Sequence, residues 1–274
     1  SRVWADLDTS AKQAERLKER TDAKMQAQVW DGSPVRAWDT WVDDRELHVF
    51  AVDVAGGEPE ALTQGSGLQL PRNAVPLEAP LYDIAPDGTE IALTFDPNPE
   101  PGMTHRADLV VVNLRTRRWK NLTADSGMSD EHPVYSPDGK AIAYHAYDTA
   151  RMFNDQGHLR MLDRRTGAWT RLAPGLDRAT TDVQWSADGA ALLFLCEDRG
   201  RVGVHRLALG AETSVPLIEG GTIGGFACSR DGRVIAFDRS AASHPPRLFA
   251  AAGDGSGERA IEHLNEALLA RHAM

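Results

Sequence analysis

The sequence predicts an all-β chain folded as a β-propeller of four-stranded antiparallel blades, about five of them, with one helix inserted near the start. Three observations carry this prediction. A short turn recurs after an apolar run: Ala85-Pro86-Asp87-Gly88, Ser136-Pro137-Asp138-Gly139, Ser186-Ala187-Asp188-Gly189 and Ser229-Arg230-Asp231-Gly232, at steps of 51, 50 and 43 residues. That period belongs to blade or solenoid arrays. The register also persists well beyond the turn, because Trp119 and Trp169 follow their glycines by 31 and 30 residues.

Each element follows in order. Residues 8–28 break the β pattern: Asp8-Thr9-Ser10 precedes a polar run, and Ser10 with Gln13 fits a capping box. Ala14, Leu17 and Met25 give that helix a thin apolar stripe, which places it against the rim of the blades. The first repeat is weak: 35–42, an Asp43-Asp44 turn, 47–54, a Gly56-Gly57 turn, then 60–63. The four clear repeats open with inner strands at 81–85, 133–136, 182–186 and 225–229. In each, Gly supplies the positive φ of a tight hairpin and Asp bonds its own backbone. Second strands rich in β-branched and aromatic residues follow at 91–95, 142–144, 192–194 and 234–237. Third strands fall at 109–114, 159–163, 202–207 and 248–251, and fourth strands at 119–123, 169–172, 214–217 and 259–261. The resulting division is 1–34 for a partial strand and the helix, blades at 35–64, 80–123, 131–172, 180–218 and 222–262, and an exit segment at 263–274.

Composition narrows the partners. With 274 residues the chain can bury a large core, and its net charge of −10 is spread among bases. It has no basic patch interleaved with aromatics, so nucleic acid is not an expected partner. Its apolar stretches are of strand length, so no membrane span and a soluble protein, cytoplasmic or periplasmic, are expected. The two cysteines, Cys196 and Cys228, fall in strands of neighbouring blades and read as buried free thiols.

Catalytic patterns are missing from this sequence. It has no Gly-x-Ser-x-Gly elbow, no His-Glu-x-x-His, no Cys-x-x-Cys and no phosphate-binding glycine loop. The nine histidines are scattered, none at ligand spacing. No catalytic residue, metal ligand or cofactor is therefore assigned. Two segments stand as binding candidates. One is 34–41, where Arg36 and Asp39 flank Trp38 beside Trp41; core packing of Trp38, with Arg36 paired to a carboxylate, is the structural alternative. The other is Asp130-Glu131 just before an inner strand, where two carboxylates suit a peptide's amino terminus; solvated turn acids are the alternative.

The Ser-Pro-Asp-Gly turns, the Arg36-Ala37-Trp38-Asp39 segment, the helix before it and the closing Glu262-His263-Leu264-Asn265-Glu266-Ala267-Leu268-Leu269 resemble the propeller of prolyl oligopeptidase-family serine peptidases. The similarity is to the bacterial acylaminoacyl-peptidase and dipeptidyl-peptidase-like branch, and it covers essentially the whole chain. That branch carries Arg-His-Trp-Asp where this chain has Ala37, so a role for that histidine is lost. TolB-like propellers share the turn motif. The resemblance implies about seven blades followed by an α/β-hydrolase domain with a Ser-Asp-His triad. It therefore implies that this chain is a truncated propeller: residues 1–7 read as a strand of an upstream blade, and Met274 falls where the hydrolase linker would begin. The implied role is a non-catalytic gate that filters short peptide substrates by size. Its implied partners are a peptide substrate and the absent hydrolase domain, with self-association through open strand edges. A stand-alone TolB-like module binding a protein or peptide is the alternative.

Overall fold

The computed structural model describes residues 2–25, 27, 29–30, 35–37, 40–68, 70, 82–97, 106–150, 156–262 and 271. The chain divides into two compact units, Ser1–Pro133 with Tyr147–Phe153, and Val134–Ala146 with Asn154–Met274.

The first unit opens with strand β1 (Arg2–Val3) and helix α1 (Ser10–Asp22). The first repeat follows as short strands, β2 (Arg36–Ala37), β3 (Thr40–Trp41), β4 (Glu46–Leu47), β5 (Phe50–Ala51) and β6 (Glu60–Ala61). They form three two-stranded pairs: β1 with β4, β2 with β3 and β5 with β6. The continuous strand expected over 47–54 is thus divided around His48-Val49, and its first part pairs with the chain's opening residues. The second repeat is a full antiparallel sheet of β7 (Tyr82–Ile84), β8 (Glu90–Phe95), β9 (Asp108–Asn113) and β10 (Trp119–Asn121), in sequential order. Its β8 is buried from Ile91 to Phe95, and a core of Val49, Leu62, Leu68, Ile91, Leu93, Val110 and Val112 joins the first and second repeats.

The capping expectation for α1 needs correction. Thr9, not Ser10, is the N-cap, its hydroxyl accepting the Lys12 amide at 3.3 Å. Gln13 turns away from the cap: its side chain accepts the Trp4 amide and donates to the Trp4 and Leu7 carbonyls. The apolar stripe is also not what seats the helix, since Leu17 and Met25 are exposed and no helix residue is buried. Instead the buried Trp4 ring lies 5.7, 5.0 and 5.6 Å from the guanidinium carbons of Arg16, Arg20 and Arg45. Arg16 forks onto Asp6, Arg20 onto Asp44, and Arg45 pairs with Asp43. Cation–π contact and ion pairs do here what an apolar face would ordinarily do.

The third sheet is β11 (Ser129–Tyr135), β12 (Ala141–Tyr147), β13 (His158–Asp163) and β14 (Trp169–Arg171), in sequential order. The fourth repeat has β15 (Thr180–Trp185), β16 (Ala191–Asp198), β17 (Arg201–Ala208) and β18 (Val215–Ile218). The fifth has β19 (Thr222–Cys228), β20 (Val234–Ala241), β21 (His244–Ala252) and β22 (Arg259–Ala260). A parallel pairing of Val202 with Thr222 fuses the fourth and fifth into one eight-stranded sheet. Alternation puts Ile235 and Phe237 with Leu193, Leu195, Val204, Ile218, Ile223 and Phe249 in one core. A second core joins the third and fourth repeats through Ala143, Leu159, Leu192, Phe194 and Leu207. Both cysteines are free thiols, Cys196 buried and Cys228 half-buried.

The recurrent turn has one chemistry. Gly88, Gly139, Gly189 and Gly232 have φ of 69°, 69°, 68° and 70°. In the last three, the Ser hydroxyl donates to the Asp carboxylate (Ser136–Asp138 2.8 Å, Ser186–Asp188 2.6 Å, Ser229–Asp231 2.7 Å). The same Ser oxygen accepts the amide five residues on, and the carboxylate accepts the amide two residues on. At the first turn Ala85 replaces Ser, and Thr89 supplies the hydroxyl to Asp87 instead. The last three turns also abut. A Cβ on Gly189 would lie 3.7 Å from Pro137 Cδ, and one on Gly232 3.1 Å from Ala187 Cβ.

Candidate functional site

Among the sequence candidates, Asp39 and the neighbouring Trp38 lie outside the described residues. Arg36 is exposed on β2, its guanidinium 5.9 Å from the centre of the Trp41 ring, to which it is also the cross-strand partner. Trp41 is exposed and stacks obliquely on Trp30, with ring centres 5.2 Å apart. Arg36 therefore meets an aromatic face.

Asp130 and Glu131 sit at the opening of β11. Neighbours in a strand point to opposite faces, so the two carboxylates do not act as one clamp. Asp130 is fully buried and its amide donates to the Ala107 carbonyl at 2.8 Å. Glu131 is half-buried and accepts the Ser129 hydroxyl at 2.8 Å, while the Ser129 oxygen accepts the Ala107 amide. The next residue, His132, has φ of 57° and its amide donates to Thr94 Oγ1. In the fourth repeat, Asp182 stands at the same distance from its turn glycine, seven residues, and has φ of 52°. The ladder slips there between Thr181 and Gln184, and at the matching place in the fifth repeat between Ile223 and Gly225. The inner strands of the fourth and fifth repeats thus carry a bulge that re-aims their opening residues, a device common beside functional sites. At that repeat position His132 and Asp182 take left-handed backbone, a region that His and Asp enter more readily than most residues. Arg36 and the Asp130-Glu131 pair belong to separate sheets.

A polar clasp between the third and fourth strands was not read from the sequence. In the first repeat, Thr63 Oγ1 accepts the Val49 amide and lies 3.0 Å from His48 Nδ1, while His48 Nε2 lies 3.1 Å from Glu46 Oε2. With the carboxylate facing Nε2–H, the neutral ring accepts the Thr63 proton at Nδ1. The order hydroxyl, imidazole, carboxylate is that of a nucleophile relay. Here, however, His48 and Thr63 are 3% and 1% exposed, and burial pushes the His48 pKa below its ordinary value. The second repeat shows what the arrangement does. Thr123 Oγ1 accepts the Leu109 amide, and the place of His48 is taken by buried Asp108, held by Asn121 at 2.7 Å and Arg106 at 3.4 Å. Arg106 stands where Glu46 stood, so the polarity of the pair is reversed. A position that accepts either sign, in the same geometry, fastens strands. In the fifth repeat Arg247 and Glu262 occupy the equivalent places, 3.5 Å apart.

The described residues hold no group of three or more His, Cys, Asp or Glu side chains able to bind a metal ion. No described helix is long and apolar enough to cross a membrane.

No protein-family profile matches the chain. It is 26% identical over 184 residues to dipeptidyl-peptidase 5 of Porphyromonas gingivalis, covering 63% of this chain and 26% of that protein. It is also 26% identical over 212 residues to dipeptidyl-peptidase 5 of Trichophyton equinum, covering 70% of this chain and 29% of that one. The chain thus spans about a quarter of the length of the curated relatives it matches. Among solved structures, Pyrococcus horikoshii acylaminoacyl peptidase superposes with a TM-score of 0.67 at 14% identity, over 90% of this chain and 36% of that one. TolB from Acinetobacter baumannii superposes with a TM-score of 0.57 at 19% identity, over 77% of this chain and 48% of that one. These similarities identify the four-stranded sheets as propeller blades.

Proposed function

We propose that the chain, similar in sequence to dipeptidyl-peptidase 5 and in fold to an acylaminoacyl peptidase, is a prolyl oligopeptidase-type propeller that gates substrate for a serine peptidase acting on short peptides. The carrying observation is that the relation to dipeptidyl-peptidase 5 runs through about two thirds of the chain. The residues fit a gate better than a catalyst. In the hydroxyl–imidazole–carboxylate set they contain, the hydroxyl of Thr63 and the ring of His48 are buried, which keeps substrate from the would-be nucleophile. Chemistry is then the task of a separate catalytic portion, and the propeller contributes size exclusion and contacts to the peptide. Glu131, beside His132 with its left-handed backbone, and Arg36, against Trp41, are the side chains proposed to touch it.

Two measurements test this. The gene should encode a hydrolase segment with a Gly-x-Ser-x-Gly elbow in the same reading frame, and a stop codon directly after Met274 would favour a stand-alone binding module. Purified alone, the chain should not release chromophore from dipeptidyl or acylaminoacyl p-nitroanilides. Turnover that co-purifies with it through successive columns would overturn the reading.

A further inference from the structure

A cleft in the second unit, where β17 and β19 join, lies apart from every candidate above. It has a volume of about 480 Å³ and is lined by Arg201, Gly221, Thr222, Ser240, Ala241, Ala242 and Ser243. Three tight, rigid chain tips build it. The hairpin between β16 and β17 turns through Arg199 and Gly200, with φ of 50° and 72°, which pairs Asp198 with Arg201 across the ladder. Two successive positive φ angles mark the turn that best matches strand twist. The second tip is the crossover at Gly220-Gly221; a Cβ on Gly221 would sit 2.3 Å from the Ser240 carbonyl oxygen, so only glycine brings these backbones together. The third is the two-residue loop of the β20–β21 hairpin, where Ala241 pairs with His244.

The lining is chemically one-sided. This chain has a net charge of −10, yet the cleft wall carries one guanidinium, three hydroxyls and no acid. The acid paired across the ladder from Arg201 is already engaged. Asp198, the cross-strand partner of Arg201, binds Arg178 at 2.9 Å and Arg199 at 3.6 Å. The neighbouring cation, Arg239, forks onto Glu258 and lies 4.3 Å over the Phe249 ring. Arg201 is the cation left facing the cleft. A planar guanidinium fork flanked by neutral hydroxyl donors matches a carboxylate, which accepts two parallel N–H bonds and keeps lone pairs for hydroxyls. The volume falls within the range of small-ligand sites, about 300–1,000 Å³.

We propose that this cleft binds a carboxylate-bearing peptide of a few residues, with Arg201 gripping the carboxylate and Thr222 and Ser243 donating to it. The site belongs to the propeller itself and does not depend on the gating role. The carboxylate can come from a peptide's C-terminus or from an acidic side chain.

Calorimetric titration of the 274-residue chain with acetyl-Ala-Ala carboxylate, acetyl-Ala-Ala amide and acetyl-Asp-Ala amide tests the site and separates its two sources. The free carboxylate, the Asp peptide or both should bind, at least tenfold more tightly than the Ala-Ala amide. Arg201→Gln should remove that advantage, and Ala242→Glu, which sets a carboxylate of the protein's own over the cleft, should do the same. Both positions are at the surface, so thermal midpoints should not move. Equal binding of amide and carboxylate, unchanged binding by Arg201→Gln, or no binding of any of the three peptides would overturn the proposal.

Discussion

The first and fifth repeats are built to one plan from different materials. In the fifth, β20 and β21 pair over eight and nine residues and place Phe237 and Phe249 in parallel contact, ring centres 5.5 Å apart, inside a continuous apolar core. In the first, the strands are two residues long, and the neighbouring helix is seated by three arginines around Trp4, each neutralised by an aspartate. The fifth repeat is therefore held by burial, which is indifferent to salt, and the helix beside the first by charge, which is screened within about 8 Å at physiological ionic strength.

The largest break in this contrast should come from Phe237→Ala. Removing a ring that is 2% exposed should cost about 3–5 kcal/mol in urea unfolding followed by near-ultraviolet circular dichroism. A loss below 1 kcal/mol would mean the core is not continuous. Next is Gly253→Ala, whose Cβ would fall 1.9 Å from the Gly232 carbonyl oxygen; displacing that backbone should cost roughly 1–3 kcal/mol. In the first repeat, Asp44→Ala removes the partner of both Arg20 and the Trp4 indole, for an expected loss of about 1 kcal/mol. Hydrogen exchange sharpens the point: 1 M salt should speed exchange in α1 and leave β20 unchanged. Equal acceleration in both would refute the division of labour.

Smaller effects come from the turns. Ser136→Ala should cost about 1 kcal/mol, since its buried oxygen serves two partners. Ala85→Ser should be neutral within about 0.5 kcal/mol, because Thr89 already serves Asp87. The Asp138 carboxyl is held down to about 2 by the Lys140 amide and the Ser136 hydroxyl, and Asp188 and Asp231 are lowered in the same way. Their contribution is complete above the unfolded value of 3.8 and disappears as pH falls toward 2, the window in which acid unfolding should begin. The acid limb should weaken in Ser136→Ala; if it is identical to the parent protein's, the turn carboxylates do not set it.

The repeats were legible because their turns need particular residues: Gly for φ near 70°, Asp and Ser for fixed hydrogen bonds. The second, third, fourth and fifth repeats accordingly show four strands each where the period placed them. The helix was legible as a helix, but its seating was not, because arginine reads as a solvated residue until a buried tryptophan is found beneath it. The clasp at Glu46, His48 and Thr63 escaped notice for a similar reason. Its equivalents, Arg106, Asp108 and Thr123, share geometry but only one residue type. Asp130 and Glu131 looked like a pair in one dimension, and the pleat separates them.

The abutting turns have one more consequence. With Pro137 against Gly189 and Ala187 against Gly232, the turn ends of the third, fourth and fifth repeats leave little room for inserted residues. Length variation must then collect at the opposite hairpins. The link between β12 and β13 spans residues 148–157, while that between β16 and β17 is only Arg199-Gly200. The last period is shorter, 43 rather than 50, in keeping with that trimming. In these three repeats one end is held by contact, and the other is where the chain differs in length.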